Sequence, residues 1–302
     1  MSWLSGERIV VTGGAGFIGR ALARAFRDGG AEVTVADLHA HPDLPSVPGD
    51  LTEPGAVERA VRPGTTGVVH TAARTSVLKS LQEPDLVYRT NVAMTAALLE
   101  RCRALEVPRL IFTSTNAVVG AVDGELIDER SPLRPRTPYG ASKAAAEMLL
   151  AGYANGYGLA ATSLRLTNVY GPGMTAKDSL VPRLMRAAAS GSPIEIYGDG
   201  EQVRDFVHLD DVVVAVRLAW VQRVVGPILV GAGHSVSVNT MVDLCEQASG
   251  RAITRTGSPS RPGEMRQVVV DIGRARALGY RPSVDLAEGL AGVWADFRPH
   301  ES

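Results

Sequence analysis

The stretch RIVVTGGAGFIGRALARAF, beginning at Arg8, restricts the possible folds more than any other part of the chain. A β-branched run meets a cluster of glycines and then a helical pattern. Gly14, Gly16 and Gly19 satisfy G-x-G-x-x-G, and Gly13, Gly16 and Gly19 form an evenly spaced variant of it. Such glycines let the backbone turn sharply and approach a pyrophosphate, while the helix N-terminus beyond turns its free amides toward anions. With a strand before and a helix after, this is the first βα turn of a dinucleotide-binding sheet. Phe17 and Ile18, inside the motif, join the expected contacts.

The next strand, EVTVAD, ends on Asp37, about 20 residues past the glycines, where a carboxylate can accept from both ribose hydroxyls. A 2′-phosphate would be repelled there, and Leu38, His39 and Ala40 offer no arginine to receive one. The expected cofactor is therefore NAD. Asp50 and Leu51, in PGDLT, are candidates for the adenine face.

Short β-branched runs (RIVVT, EVTVAD, GVVHT, RLIFTST, ATSLRL) alternate with longer helical stretches through the first half of the chain. That alternation predicts βαβ units and an α/β fold, a doubly wound parallel sheet of Rossmann type with helices on both faces. Past NVYGPG the pattern becomes irregular and richer in Gly and Pro. The expected division is a NAD-binding domain over 1–168 and a smaller C-terminal substrate-binding region over 169–302, partly interleaved with it.

Composition restricts the function. With a net charge of -1 from 31 bases and 32 acids, nothing points to nucleic acid or an anionic membrane. Neither Cys102 nor Cys245 has the spacing of a metal or disulfide framework, and His39 and His41, the only close histidine pair, read as solvated loop residues. No metal is expected. The chain enters its first strand without a leader pattern, and no apolar run reaches the roughly 18 residues that span a bilayer. A cytoplasmic location and a small-molecule partner are the expectation.

Tyr139 and Lys143 lie four apart in PYGASKAAAE, just after Pro138, so both side chains project from one face of a helix's first turns. A free phenol titrates near pH 10, and a nearby ammonium favours the phenolate, which makes it a candidate general base. The chain has only three lysines among its many arginines, so a lysine here is distinctive.

Six ordered motifs, TGGAGFIG, FTSTNAVVG, PYGASK, LRLTNVYGPG, GDGEQVRDFVHLDDV and RPGEMRQVVVDIGRARALGY, resemble the extended short-chain dehydrogenase/reductase family, and within it the NAD-dependent nucleotide-sugar epimerases and dehydratases, similar to UDP-glucose 4-epimerases. The resemblance implies that Tyr139 is the base, and that Lys143 binds the nicotinamide ribose and lowers the tyrosine's pKa. It implies that Thr115 shares a proton with the sugar hydroxyl and that Ala72 touches the cofactor. Asn91 matches a helix asparagine near the active site, with a polar residue satisfied internally as the alternative. Asn168 resembles a substrate contact, Arg204 and Arg261 the arginines that hold a diphosphate, and Glu264 an acid on the nucleotide's ribose. Thr113 and Ser114 read as strand-end hydroxyls, and the helices DLVYRTNVAMTAALLERC and YGASKAAAEMLLAGYA resemble the pair that joins two protomers in a homodimer.

The resemblance also bears on the reaction. Its 4,6-dehydratases carry an Asp-Glu pair directly after the threonine, where this chain has Asn116 and Ala117. Without that acid and base, the expected path is for a ketosugar to turn over and take its hydride back on the other face. That is epimerisation, most often at C4, of a nucleotide-diphosphate sugar such as a UDP-sugar. A 4,6-dehydratase or 4-ketoreductase is the enzymatic alternative, and an NAD-binding regulator that has lost its chemistry the non-enzymatic one. Val268, where some epimerases carry a bulky residue, suggests room for a larger sugar substituent.

Overall fold

A computed structural model describes residues 3–120, 126–260 and 266–298. From the N-terminus come β1 (Arg8–Thr12), α1 (Phe17–Asp28), β2 (Glu32–Asp37), β3 (Ser46–Pro48), α2 (Ala56–Ala60) and β4 (Gly67–His70). Then follow α3 (Val77–Gln82), α4 (Pro84–Tyr88), a π-helical turn (Arg89–Ala93), α5 (Met94–Ala104), β5 (Arg109–Thr115) and a 3₁₀ turn (Asn116–Val118). The long α6 (Pro138–Tyr157) leads to β6 (Ala160–Leu166), β7 (Asn168–Tyr170), α7 (Leu180–Ser190), β8 (Ile194–Tyr197) and β9 (Val203–His208). The chain continues through α8 (Leu209–Val221), β10 (Gly226–Val230), β11 (Ser235–Ser237), α9 (Val238–Ser249), β12 (Arg255–Ser258), α10 (Gly273–Ala277) and α11 (Leu286–Trp294).

Seven strands form one sheet in the order β10-β6-β5-β4-β1-β2-β3. The pairs β1–β2, β1–β4, β2–β3 and β4–β5 are all parallel, with Val11 opposite Val35 on one side and Val69 on the other. Strands buried on both faces need continuous apolar runs, and β4 is buried at every residue. The expected doubly wound sheet is borne out. Strand order reverses between β1 and β4, which opens a crevice at their carboxyl ends. The glycine turn after β1 and the segment after β4 both begin there.

Two compact units divide the chain. One contains the residues up to Gly120, Ser131–Arg165 and Val213–Ile228. On one face of its sheet, Leu98, Leu99, Leu150 and Val57 pack over Val10, Val68 and Phe112. On α1, Phe26 meets the Trp220 ring edge-on at 4.9 Å. A Cβ on Gly67 would lie 2.2 Å from Trp220, so the indole needs a bare backbone beneath it.

The other unit takes in 126–130, Leu166–Val212 and the chain from Leu229. It holds a three-stranded sheet, β11-β9-β7, in which β9 runs antiparallel to β11 and parallel to β7, and a two-stranded parallel ladder of β8 and β12. Its core includes Tyr170, Met241, Cys245 and Leu290, all nearly inaccessible. Asp205 and Asp211 anchor it from within. Asp205 accepts from Thr167 Oγ1 at 2.7 Å and from the Ala232 and Gly233 amides at 2.9 and 2.8 Å. Asp211 accepts from the Ser283 and Val284 amides at 2.9 and 3.3 Å.

Candidate active site

After β1 the chain turns at Gly13, φ +69°, whose amide donates to the Ala36 carbonyl at 2.8 Å. A Cβ on Gly19 would sit 2.1 Å from the Gly13 carbonyl oxygen, and one on Gly13 2.6 Å from the Ala72 amide nitrogen. The turn therefore presses the start of α1 onto the segment after β4 with backbone alone. Gly16 begins α1, no side chain caps it and no acid lies in its first turn. The amides there, Phe17 and Ile18 among them, and the positive end of the helix dipole are left for an anion. Asp37 closes the corner, its carboxylate accepting from the Ala15 amide at 3.0 Å and the His39 amide at 3.3 Å.

The expected adenine contacts differ from each other. Asp50 is exposed and accepts from the amide and hydroxyl of Thr52, at 2.9 and 2.7 Å. Leu51 is buried, its side chain in the core with Val10, Ala36 and Val57.

Thr137 starts α6 by accepting from the Gly140 amide at 3.2 Å, and Pro138 occupies the first turn, where its missing N–H costs nothing. Tyr139 and Lys143 thus point from one face toward β5. Thr115 ends β5 and caps the 3₁₀ turn, accepting from the Ala117 amide at 3.2 Å, and it hydrogen-bonds the Tyr139 phenol. A Cβ on Gly140 would lie 2.7 Å from the Ala117 carbonyl oxygen, so this glycine lets the helix close on the turn. At Gly120, φ +72°, a Cβ would fall 2.0 Å from the Arg134 carbonyl oxygen. Tyr139 and Lys143 share a helix face as their spacing predicts, and the structure sets Thr115 against the Tyr139 phenol.

Burial dominates their electrostatics. It pushes the Tyr139 phenol up to about 12, against which the Thr115 hydrogen bond works. It drives Lys143 down to about 7, opposed by the charge of Glu147. Lys143 Nζ donates to the Thr113 carbonyl at 2.7 Å and lies 4.3 Å from the centre of the Phe112 ring. Its ammonium is turned to the strand, and burial has weakened its hold on the proton.

Behind this pair runs a buried polar chain. Asn91, in the π-helical turn, donates to the Arg74 carbonyl and Ser142 Oγ at 3.0 and 2.9 Å and accepts from the Arg74 amide at 2.8 Å. Every polar atom of its side chain is used, which favours the internally satisfied reading. Thr95 Oγ1 donates to the Asn91 carbonyl at 2.7 Å and contacts His70 Nε2 at 2.9 Å, while His70 Nδ1 meets Thr12 Oγ1 at 2.6 Å. With the threonine's proton committed to Asn91, His70 carries its own proton on Nε2. Burial keeps this ring neutral, its pKa lowered to about 3.

In the second unit, Asn168 is exposed and donates to the Asp205 carbonyl at 2.9 Å. Arg204 on β9 is half-buried and donates to the Val203 carbonyl at 2.8 Å. Burial raises the Asp205 carboxyl above the ordinary range, against the hydrogen bonds it accepts. Val268 is buried at 1 % exposure and donates its amide to the Val203 carbonyl at 3.2 Å. Arg261 and Glu264 lie outside the described residues.

Known proteins resemble this chain in sequence and fold. The profile of the NAD dependent epimerase/dehydratase family matches residues 9–230. The chain belongs to that family. The dTDP-glucose 4,6-dehydratase of Streptomyces griseus is 33% identical over 317 residues, covering 97% of this chain and 95% of the relative. The UDP-glucose 4-epimerase of Corynebacterium glutamicum is 32% identical over 313 residues, covering 95% of each. The crystal structure of the Thermus thermophilus UDP-glucose 4-epimerase in complex with NAD superposes with a TM-score of 0.90 at 36% identity, covering 97% of this chain and 99% of that one.

The epimerase/dehydratase family uses NAD, and the residues present fit it. A side-chain-free turn, an uncapped helix start and the Asp37 carboxylate supply a pyrophosphate cradle and a ribose acceptor in one corner. Among the described residues no cluster of His, Cys, Asp or Glu could hold a metal, and no helix is long and apolar enough to cross a membrane. Glu147 was missed in the sequence, although it stands four residues after Lys143 on the same helix face.

Proposed function

We propose that this chain is an NAD-dependent epimerase of a nucleotide-diphosphate hexose, inverting C4 through a transient 4-keto sugar, with a UDP-sugar as substrate. One observation carries the choice of reaction: beside the bonded Thr115 and Tyr139, the 3₁₀ turn offers Asn116 and Ala117, neither of which can act as a second acid or base. The Thermus thermophilus epimerase supports the same reading.

In this account Gly13, Gly16, Phe17, Ile18 and Gly19 hold the pyrophosphate and Asp37 the adenosine ribose, with Asp50, Leu51 and Ala72 around them. When bound, NAD supplies a reversible hydride acceptor for the sugar carbon and a positive ring that favours the Tyr139 phenolate. Tyr139 Oη takes the proton of the C4 hydroxyl and later returns it. Thr115 Oγ1, already bonded to that phenol, passes or shares the proton. Lys143 holds the cofactor's second ribose and orders this end of the site. Arg204 and Arg261 hold the diphosphate, Glu264 meets the nucleotide's ribose and Asn168 touches the substrate. Without a second acid or base, the keto sugar has one exit, re-reduction.

We further propose a cytoplasmic homodimer joined through α5 and α6. In support, Met148 and Tyr157 on α6 are 58% and 63% exposed, large apolar side chains on the helix face turned away from the sheet. Gel filtration should give twice the 31.9 kDa chain mass. The activity is tested by incubating the purified protein with UDP-glucose and no added NAD. UDP-galactose at equilibrium is expected; a 4-keto-6-deoxy product would assign the dehydratase reaction instead.

A further inference from the structure

We infer that Glu147 is a positioning residue for Lys143: anchored by Ser114 and Arg165, its carboxylate holds the lysine's ammonium in the charged form one turn from Tyr139. The inference rests on the reading that a charged Lys143 serves the cofactor end of the site.

Glu147 and Arg165 are each 4% exposed, and their bond is forked. Arg165 Nε donates to Oε1 and Oε2 at 3.2 and 3.1 Å, and Nη2 donates to Oε2 at 2.8 Å. Ser114 Oγ donates to Oε1 at 2.5 Å. The carboxylate is thus fixed from β5 and β6 at once. A buried ion pair of this kind is weak evidence for stability, because apolar residues of similar volume often serve as well. Its place in the fold suggests another use. Tyr139, Lys143 and Glu147 succeed one another at four-residue spacing, so the carboxylate follows the ammonium on one helix face.

Lys143 needs such a partner. At 2% exposure it has little water to stabilise its charge, and a lone buried ammonium sheds its proton. Few groups around it can help. Beside Glu147, α6 presents Tyr139, whose phenol is neutral in the free protein. From β4 comes His70, also neutral. From β5 come the Thr113 carbonyl and the Phe112 ring, which are not ionisable. Arg165, on β6, is a second cation, paired to Glu147. Among the described residues, the carboxylate is therefore the anion that opposes the effect of burial on Lys143.

The chain's three lysines, Lys79, Lys143 and Lys177, make the test direct. With 13C-labelled lysine, the NMR spectrum of the free protein has three Cε signals to follow through a pH titration, and Lys143→Met identifies one of them. Wild-type Lys143 should titrate far below an ordinary lysine. Glu147→Gln should move its midpoint down by about one pH unit or more, a tenfold loss of proton affinity. Ser114→Ala, which removes only the hydroxyl anchor, should move it the same way by less. If Glu147→Gln does not fold, the carboxylate is tested on an Arg165→Met background: the midpoint of Glu147→Gln/Arg165→Met should lie below that of Arg165→Met alone, which keeps the anion. An unmoved midpoint in the folded variants, or an ordinary lysine midpoint in the wild type, overturns the proposal. Because the titration is read without substrate, a wrong assignment of the reaction would leave it intact and appear only in product analysis.

Discussion

Lys143 Nζ donates to the carbonyl oxygen of Thr113 at 2.7 Å, two residues before Thr115 on the same strand. One bond thereby ties the helix that carries the candidate base to the strand that carries its hydroxyl partner. It also keeps the ammonium in a setting that opposes its charge, since burial lowers Lys143 to about 7.

Replacing that lysine should stabilise the free protein. A group whose folded pKa is depressed below its unfolded value makes folding release a proton between the two values, so stability rises with pH across that window. Lys143→Met removes the linkage. Its advantage over the wild type should be largest and constant below about pH 7, then shrink by up to about 1.4 kcal/mol per pH unit toward the ordinary lysine value. Urea unfolding at pH 6 and pH 9 checks this; an advantage that does not diminish with pH contradicts it.

Tyr139→Phe removes one oxygen and leaves the fold unchanged. Turnover should fall by about 10²–10⁴-fold, as for the loss of a general base, while NAD binding changes little. Calorimetric titration with NAD alongside a turnover assay separates the two effects.

Asp37→Ala should weaken NAD binding by about tenfold or more, the worth of hydrogen bonds to a charged acceptor. It should also narrow the preference for NAD over NADP, because the repulsion of a 2′-phosphate disappears. Equal losses for both dinucleotides would place the ribose elsewhere.

Gly120→Ala should cost about 2–4 kcal/mol, because the position combines a left-handed φ with a carbonyl where the new methyl must go. Chemical denaturation reads the cost directly, and a change below about 0.5 kcal/mol, the range of ordinary surface substitutions, would show that Gly120 and the Arg134 carbonyl can move apart.

What the sequence revealed was whatever depends on local spacing. The turn around Gly13 and Gly19, the acid at the end of β2 and the Tyr139–Lys143 face are all set within a few residues, and the structure assembles each as its pattern predicts. Features that need a distant partner were hidden. Nothing near Glu147 announces Arg165, 18 residues on, and nothing near Asn91 announces Ser142, 51 residues away. The π-helical turn that aims Asn91 at the Arg74 backbone has no local signature either. Leu51 is likewise tied to distant residues, its side chain packed with Val10, Ala36 and Val57 in the core.

The central claim is that the hydride removed from C4 returns to C4. UDP-glucose carrying deuterium at C4, incubated with the purified protein and no added NAD, tests it in one experiment. The account predicts UDP-galactose with the deuterium still on C4. Deuterium found on another carbon, or a keto product accumulating without it, would contradict the account.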